Sequence, residues 1–178
     1  MADRYLALLR GINVGGHRVT GPELIDIFAE LGLESGATFL ASGNVIFSGD
    51  GGVGEDTIAA GLAEALGYDV PVFLRSADEV RTLASSTTIP PATVEASEGK
   101  LQLIALKAQP PPGVGSAVLA LATDDDQLAI EDHHIWWLPS GGMSTSELDL
   151  KAIERLAGPT TIRTRNTIDR IAARFFAD

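Results

Sequence analysis

Short apolar runs and helically spaced apolar positions alternate along the first 84 residues, and their order predicts a β-α-β-β-α-β unit. The runs that predict strands are Tyr5–Leu9, Ala37–Ala41, Asn44–Ser48 and Val70–Leu74. Helices are predicted where apolar residues recur every three or four positions, at 24–31 and 58–66. Thr20 with Glu23, and Ser76 with Glu79, have the spacing of a capping box, so each pair predicts a helix start.

The same order returns after residue 100, so the sequence predicts two tandem ferredoxin-like β-α-β-β-α-β units with antiparallel sheets plus a C-terminal helix, an α+β fold. The predicted strands are Leu101–Leu106, Gln127–Glu131, Ile135–Leu138 and Thr160–Arg163. Residues 85–99, rich in Ser, Thr, Pro and Glu, are predicted to link an N-terminal half, 1–84, to a C-terminal half, 100–178.

This topology predicts which parts of the first half meet. A crossover helix makes the first two strands parallel, and the third lies antiparallel between them. The end of the first strand, at Arg10 and Asn13, should therefore lie beside the turn that joins the second and third strands, at Ser42, Gly43 and Asn44.

Several predicted strands are apolar on both faces. Tyr5–Leu9, Leu101–Leu106 and the strand that carries Trp136 and Trp137 all show this pattern. A strand that is apolar on both sides is covered on both sides. Helices are expected to cover one face, and the sheet of the other half or a partner chain the second.

Composition narrows the classes of function. The chain has 178 residues, no cysteine and a formal net charge of −11. Thiolate chemistry and cysteine-ligated metals are thereby excluded, and the negative charge disfavours nucleic acid and anionic membranes as partners. No apolar run approaches the ~18 residues of a membrane span, and no signal-peptide pattern is present, so a cytoplasmic location is expected.

Four short motifs resemble the signatures of one family. They are Ala7–Gly16 (A-L-L-R-G-I-N-V-G-G), Ser42–Phe47 (S-G-N-V-I-F), Asp69–Val72 (D-V-P-V) and Thr161–Thr167, where Thr164 stands in place of the family's Asn. The chain resembles the domain of unknown function 1697 family over nearly its whole length. The resemblance implies a bacterial protein of the predicted layout and no established activity.

The residues of these motifs form the candidate ligand site. Arginine offers forked donors for carboxylate or phosphate, and glycine lets backbone approach a ligand. The candidate residues are Arg10, Gly11, Asn13, Ser42, Gly43 and Asn44 and, before and within the last helix, Arg163 and Thr167. The alternative is structural: asparagine and serine are common turn residues, and an arginine at a strand end often bonds loop carbonyls. For Arg163, Arg165 and Thr167 the simpler interpretation is a capped helix with two solvated arginines.

No motif indicates a cofactor, a metal or a catalytic group. Gly49, Gly51 and Gly54 match G-x-G-x-x-G, but they follow the third strand of a half and are interpreted as a flexible loop. Residues 131–134, Glu-Asp-His-His, are interpreted as a solvated turn, because adjacent side chains point to opposite faces of a hairpin.

Four functions remain open. The first is binding of a small polar or anionic ligand with Arg10 as anchor, and the second is an enzyme that uses the same pocket, with His17 as a possible acid or base. The third is a protein-interaction scaffold, and the fourth, which the charge and the apolar strand faces disfavour, is an RNA-binding module. The sequence also leaves open whether the chain forms homo-oligomers.

Overall fold

The computed structural model of the protein describes residues 3–41, 43–50 and 52–177. Two of the motif residues, Ser42 and Gly51, lie outside this description. The chain divides into two compact units. The first comprises the residues up to 83 together with those from 170 onward, and the second comprises 84–169.

The first unit is a four-stranded antiparallel sheet with helices. Its elements are β1 (Asp3–Leu9), α1 (Gly21–Glu30), β2 (Glu34–Thr38), β3 (Asn44–Gly49), α2 (Glu55–Leu66), β4 (Val72–Ser76) and α3 (Ala77–Ser85), whose end reaches into residues of the second unit. The strand order is β2-β3-β1-β4, and β1 pairs antiparallel with both β3 and β4. This is the arrangement that the sequence predicts.

The second unit repeats that arrangement. Its elements are α4 (Pro91–Ala96), β5 (Gln102–Leu106), α5 (Pro112–Leu119), β6 (Asp126–Glu131), β7 (His134–Pro139), a 3₁₀ turn (Met143–Thr145), α6 (Leu150–Ala157), β8 (Thr160–Thr164) and the start of α7 (Arg165–Phe175). The strand order β6-β7-β5-β8 corresponds to that of the first unit. The prediction of a mixed α+β fold with two ferredoxin-like antiparallel sheets is therefore confirmed.

The segment predicted as a linker has structure of its own. Pro91 occupies the first turn of α4, where backbone N–H groups have no intrahelical acceptor, so the missing N–H of proline removes no helical hydrogen bond. At the start of the segment, Ser86 Oγ donates to Glu131 Oε2 over 2.5 Å. The carbonyl of Ser86 accepts a 2.9 Å hydrogen bond from Arg165 Nη1. Residues 85–99 thus pack as part of the second unit.

The helix-facing side of the first sheet carries an apolar core. Ala7, Leu9 and Phe47 are buried there with Phe28 of α1, whose ring centroid lies 5.4 Å from that of Phe47. Residues on the other face of β1 are buried as well, as the two-sided apolar pattern predicts: Leu6 and Leu8 are both fully buried. In β7, Trp136 and Trp137 are each only 1% exposed.

The second strand ends earlier than its apolar run suggests. β2 stops at Thr38, and the chain turns through Phe39, Leu40 and Ala41 rather than continuing in the sheet. Leu40 adopts a left-handed backbone with φ of 60°, which is incompatible with a strand. The prediction of a strand over 37–41 was therefore wrong at both ends, because β2 covers Glu34–Thr38 and the turn before β3 already starts at Phe39.

A buried carboxylate organises the edge of the second sheet. Asp126 is 1% exposed and accepts hydrogen bonds from Trp137 Nε1, Ser146 Oγ and Thr123 Oγ1 at 2.6–2.8 Å. Burial alone would raise the pKa of Asp126, but these three hydrogen bonds outweigh it and hold the pKa below its ordinary value. The charged form is therefore the one that the fold stabilises.

We expect Asp126→Asn to lower the free energy of unfolding by about 1–3 kcal/mol at pH 7, because the amide leaves at least one of the three donors without an acceptor. A folded-state pKa below the unfolded value of about 3.9 means that this stabilisation is complete above that pH and is lost as the pH falls through the folded-state pKa. Urea unfolding at several pH values measures both effects. Asp124→Asn, on an exposed neighbour, is the matched control. An equal loss in both variants, or a loss independent of pH, would contradict the assigned role.

Candidate functional site

Pairing of β1 with β3 brings the first two signature motifs together. Leu8 stands opposite Asn44 in the register, and the next amide, Leu9 N, donates to the carbonyl of Gly43 over 2.7 Å. Arg10 therefore leaves the sheet beside the turn before β3, although more than thirty residues separate the two in sequence. The expected juxtaposition of the two motifs is confirmed at the level of the backbone.

Gly43 is where the two segments approach most closely. Its φ of 76° lies in the left-handed region, and a Cβ built on it would lie 2.9 Å from both Leu9 Cβ and Ile12 Cγ2. Both the backbone conformation and the lack of space require glycine at this position.

Asn44 is fully buried, and its carboxamide serves the turn. Its Nδ2 donates to the carbonyl of Phe39 over 2.7 Å, and its own carbonyl accepts from Phe39 N at 2.9 Å. These two bonds close the turn on itself. Asn44 is therefore a buried residue that fixes the conformation of the turn.

Asn13 bridges the loop after β1 to the same turn. Its Nδ2 donates to the carbonyl of Ala41 over 2.8 Å, and its Oδ1 accepts from Val19 N at 2.7 Å. One exposed side chain therefore fixes both ends of the glycine-containing loop that leads into α1. The carboxamide keeps one N–H and one lone pair for a further contact.

Arg10 is an exposed cation at the start of the loop after β1, and the loop carries a second exposed cation, Arg18, near its end. Its backbone N donates to the carbonyl of Pro71 over 3.0 Å, so its base is held between β1 and the segment before β4. Gly11 follows with φ of 73°, a conformation that turns the chain out of the sheet. The base of the guanidinium-bearing side chain is thus fixed by the sheet.

A cleft of about 270 Å³ opens between the loop and the turn. Its lining residues come from the loop, the start of α1 and the turn: Asn13, Val19, Thr20, Gly21, Leu24, Thr38, Leu40, Ala41 and Gly43. Gly21 keeps it open, because a Cβ there would lie 2.5 Å from Thr38 Oγ1. The lining of the cleft thus includes both polar groups and the exposed side chain of Leu40.

The partial positive charge at the N-terminus of α1 is already partly neutralised by the carboxylate of Glu23. Glu23 Oε2 accepts from the backbone N and the hydroxyl of Thr20, both at 2.7 Å, which completes the predicted capping box. These hydrogen bonds hold the pKa of Glu23 below its ordinary value, so it is ionised at neutral pH. The first turn of α1 therefore carries a negative charge beside the cleft.

His17 belongs to the same loop but turns toward α2. Its ring stacks on that of Tyr68 with centroids 3.9 Å apart. Tyr68 in turn donates from its hydroxyl to the carbonyl of Ile12 over 3.3 Å. Both contacts brace the loop that carries Asn13.

The C-terminal candidates, Arg163 and Thr167, lie in the second unit and are buried at 8% and 9% exposure. Arg163 Nη1 donates to the carbonyl of Ile162 and to Thr161 Oγ1, at 2.8 and 3.0 Å. The interpretation of a helix start with two solvated arginines is wrong: Arg163 is buried, and Arg165 donates to the carbonyls of Ala84 and Ser86. The capped helix is real, since Thr167 N donates to Thr164 Oγ1.

Arg75 is the buried residue that sequence reasoning missed. It is 1% exposed and stands fourth in β4, as Arg163 stands fourth in β8. Each guanidinium donates to the preceding carbonyl, that of Leu74 or Ile162, and burial lowers the pKa of each arginine to about 10. Aligning V-F-L-R-S with T-T-I-R-T shows that the two arginines occupy equivalent strand positions, but it does not show that they are buried.

The Glu-Asp-His-His segment is less solvated than its interpretation as a turn implies. His134 begins β7 and is 3% exposed, and Glu131 accepts from Trp136 Nε1 over 2.7 Å. Only Asp132, with φ of 50°, has the exposure of a turn residue. Within the described ranges, no group of acidic, histidine or cysteine side chains is arranged to hold a metal ion.

Comparison with known proteins gives kinship and fold. The sequence profile of a family described as "Protein of unknown function (DUF1697)" matches residues 2–136, a range that holds the first three motifs and ends before Thr161. A solved structure, that of the conserved bacterial protein SP0830 from Streptococcus pneumoniae, superposes with a TM-score of 0.71 at 21% identity. The superposition covers 97% of this chain and 98% of that one. No curated protein sequence matches the chain. Among the described residues, no helix reaches the length and apolarity that crossing a bilayer requires.

We expect Gly43→Ala to destabilise the first unit much more than Gly15→Ala. Both glycines have positive φ, at 76° and 62°, but a Cβ at Gly15 meets nothing within 4 Å. Gly15→Ala should therefore lower the free energy of unfolding by only about 1 kcal/mol, the energy of placing alanine in a left-handed backbone conformation. Gly43→Ala should lower it by a further ~1–3 kcal/mol, because the new methyl group overpacks against Leu9 and Ile12. Urea denaturation of the two variants measures the difference. Equal losses would show that the turn and the end of β1 are not in close contact.

Proposed function

We propose that this chain, which belongs to the DUF1697 family, binds a small polar or anionic ligand in the cleft between the loop after β1 and the turn before β3. The proposed location is the cytoplasm, as the sequence analysis predicts. One observation supports the proposal above the others: Asn13 ties the two motif segments together around a cleft that Gly21 keeps open.

Hydrogen bonding divides the motif residues into two roles. Asn44 and Gly43 are committed to the turn, so they position the site. The groups proposed to contact a ligand are the exposed side chain of Arg10, the remaining N–H and lone pair of Asn13, and the hydroxyl of Thr38. The sequence left binding and structural roles as alternatives for these motifs, and the proposed division gives each role to different residues.

Arg10 is the proposed anchor for a negative group. A guanidinium binds carboxylate or phosphate through two parallel N–H donors, and the exposed side chain of Arg10 starts beside Gly11, next to the residues that line the cleft and not among them. The chain as a whole carries a net charge of −11, which repels free anions at long range. A short-range, bidentate contact is therefore the form that anion binding must take here.

We expect inorganic phosphate, titrated into ¹⁵N-labelled protein at constant ionic strength, to shift the amide resonances of Asn13, Val19 and Gly43 in a saturable manner. Arg10→Ala should abolish the shifts. Arg10→Lys should weaken binding about tenfold, because losing one charge-assisted hydrogen bond costs about 1.5 kcal/mol. Acetate and sulfate, titrated in parallel, separate carboxylate from tetrahedral anions.

Two further variants sharpen the assignment. Arg155→Ala removes the same charge from an exposed ion pair in the second unit and should leave the titration unchanged. Gly21→Ala places a methyl group against Thr38 and should weaken binding while the protein stays folded. Phosphate shifts that survive Arg10→Ala in folded protein would refute Arg10 as the anchor, and an absence of saturable shifts with all three anions would refute anion binding at this cleft.

A further inference from the structure

We propose that residues 170–176 are the positioning element of the cleft, with Phe175 and Arg170 holding Phe39 and thereby the turn that forms one wall. The inference rests on the proposed function for its consequence in binding, but its structural content is independent of any ligand. These residues belong to the first unit although they follow the whole of the second in sequence.

Phe39 is held from two directions by the end of α7. Its ring meets that of Phe175 edge-on with centroids 6.1 Å apart. The guanidinium carbon of Arg170 lies 5.0 Å from the centroid of the Phe39 ring, within the range of a cation–π contact. Phe39 is 6% exposed as a result. The backbone of Phe39 also makes two hydrogen bonds with Asn44: its carbonyl accepts from Asn44 Nδ2, and its N–H donates to the Asn44 carbonyl.

The end of α7 is itself fixed to the sheet by arginines of the first unit. Arg4 Nη1 donates to the carbonyl of Phe175, and Arg81 Nη1 donates to the carbonyl of Phe176 over 3.2 Å. Carbonyls at a helix C-terminus lack intrahelical donors and carry partial negative charge, so cations are favourable there. β1 and α3 thereby present α7 to Phe39 in a defined position.

The turn needs such support because its backbone is strained. Leu40, next to Phe39, has φ of 60°, a left-handed backbone conformation that is unfavourable for a residue with a Cβ. Its side chain is 51% exposed and contributes to the wall of the cleft. A strained residue persists only where its surroundings fix it. On one side of Leu40 that support is Phe39, and on the other it is Ala41, bonded to Asn13.

Amide hydrogen exchange of the full chain tests the inference without a ligand. The reporter is the Phe39 amide, bonded to Asn44 O, and the reference is the set of amides in the β1–β4 pairing, which open only when the sheet opens. We expect Arg170→Gln to speed exchange at Phe39 about two- to fivefold relative to the reference, and Phe175→Leu about two- to tenfold. Arg170→Lys should restore most of the protection. Arg155→Gln makes the same charge change at an exposed ion pair in the second unit and should leave the reporter unchanged.

Each outcome decides the inference. Phe39 exchange that follows the reference amides in Arg170→Gln would overturn it, and because Arg170 is exposed this variant is expected to fold even if Phe175→Leu does not. A phosphate response with unchanged Phe39 exchange would refute the positioning role and leave the proposed function standing. Faster Phe39 exchange without any phosphate response would support the positioning role and refute the proposed function.

Discussion

A buried carboxamide constrains the whole candidate site. Asn44 is fully buried at the start of β3, and burying an amide without partners costs about 1–3 kcal/mol. Its donor finds the carbonyl of Phe39, which forces the chain to leave β2 early and turn back sharply. That turn carries Gly43 against Leu9 and presents Ala41 to Asn13. The turn, and with it one wall of the cleft, therefore depends on satisfying this one side chain within an antiparallel pair.

Sequence patterns predicted the sheet and the meeting of its motifs because both depend on local periodicity and on topology. The two capping boxes at Thr20 and Ser76 were equally readable, since three-residue spacing suffices to identify them. The end of β2 could not be predicted in this way. Leu40 has an apolar side chain that suits a strand, but tertiary contacts fix its backbone in a left-handed conformation. Nor could the sequence reveal that Arg163 is buried, since arginine is mostly exposed and only the surrounding fold removes it from water.

The two units share the same arrangement of residues at the end of their last strand. In each, the fourth residue of the last strand is a buried arginine that bonds the carbonyl before it, and the fifth is a hydroxyl residue that caps the next helix. Arg75 also has Glu79 and Glu55 nearby, whose charges oppose the lowering of its pKa. With pKa values of about 10, both arginines remain charged at neutral pH, so each sheet carries a buried cation. The correspondence extends to register, since Arg75 faces Leu6 and Arg163 faces Leu103 on the central strands.

Assigning residues 170–176 to the first unit has a consequence for biosynthesis. A ribosome completes residue 83 and must add 87 more before it reaches residue 170, the second unit being made in between. At about 5–20 residues per second that interval lasts roughly 4–17 s, long compared with the folding of most small domains. The first sheet can thus form while Phe39 still lacks Arg170 and Phe175. The nascent chain would pass through a stage in which its first sheet exists but Phe39 lacks these two contacts, and they would form only after the second unit has been synthesised.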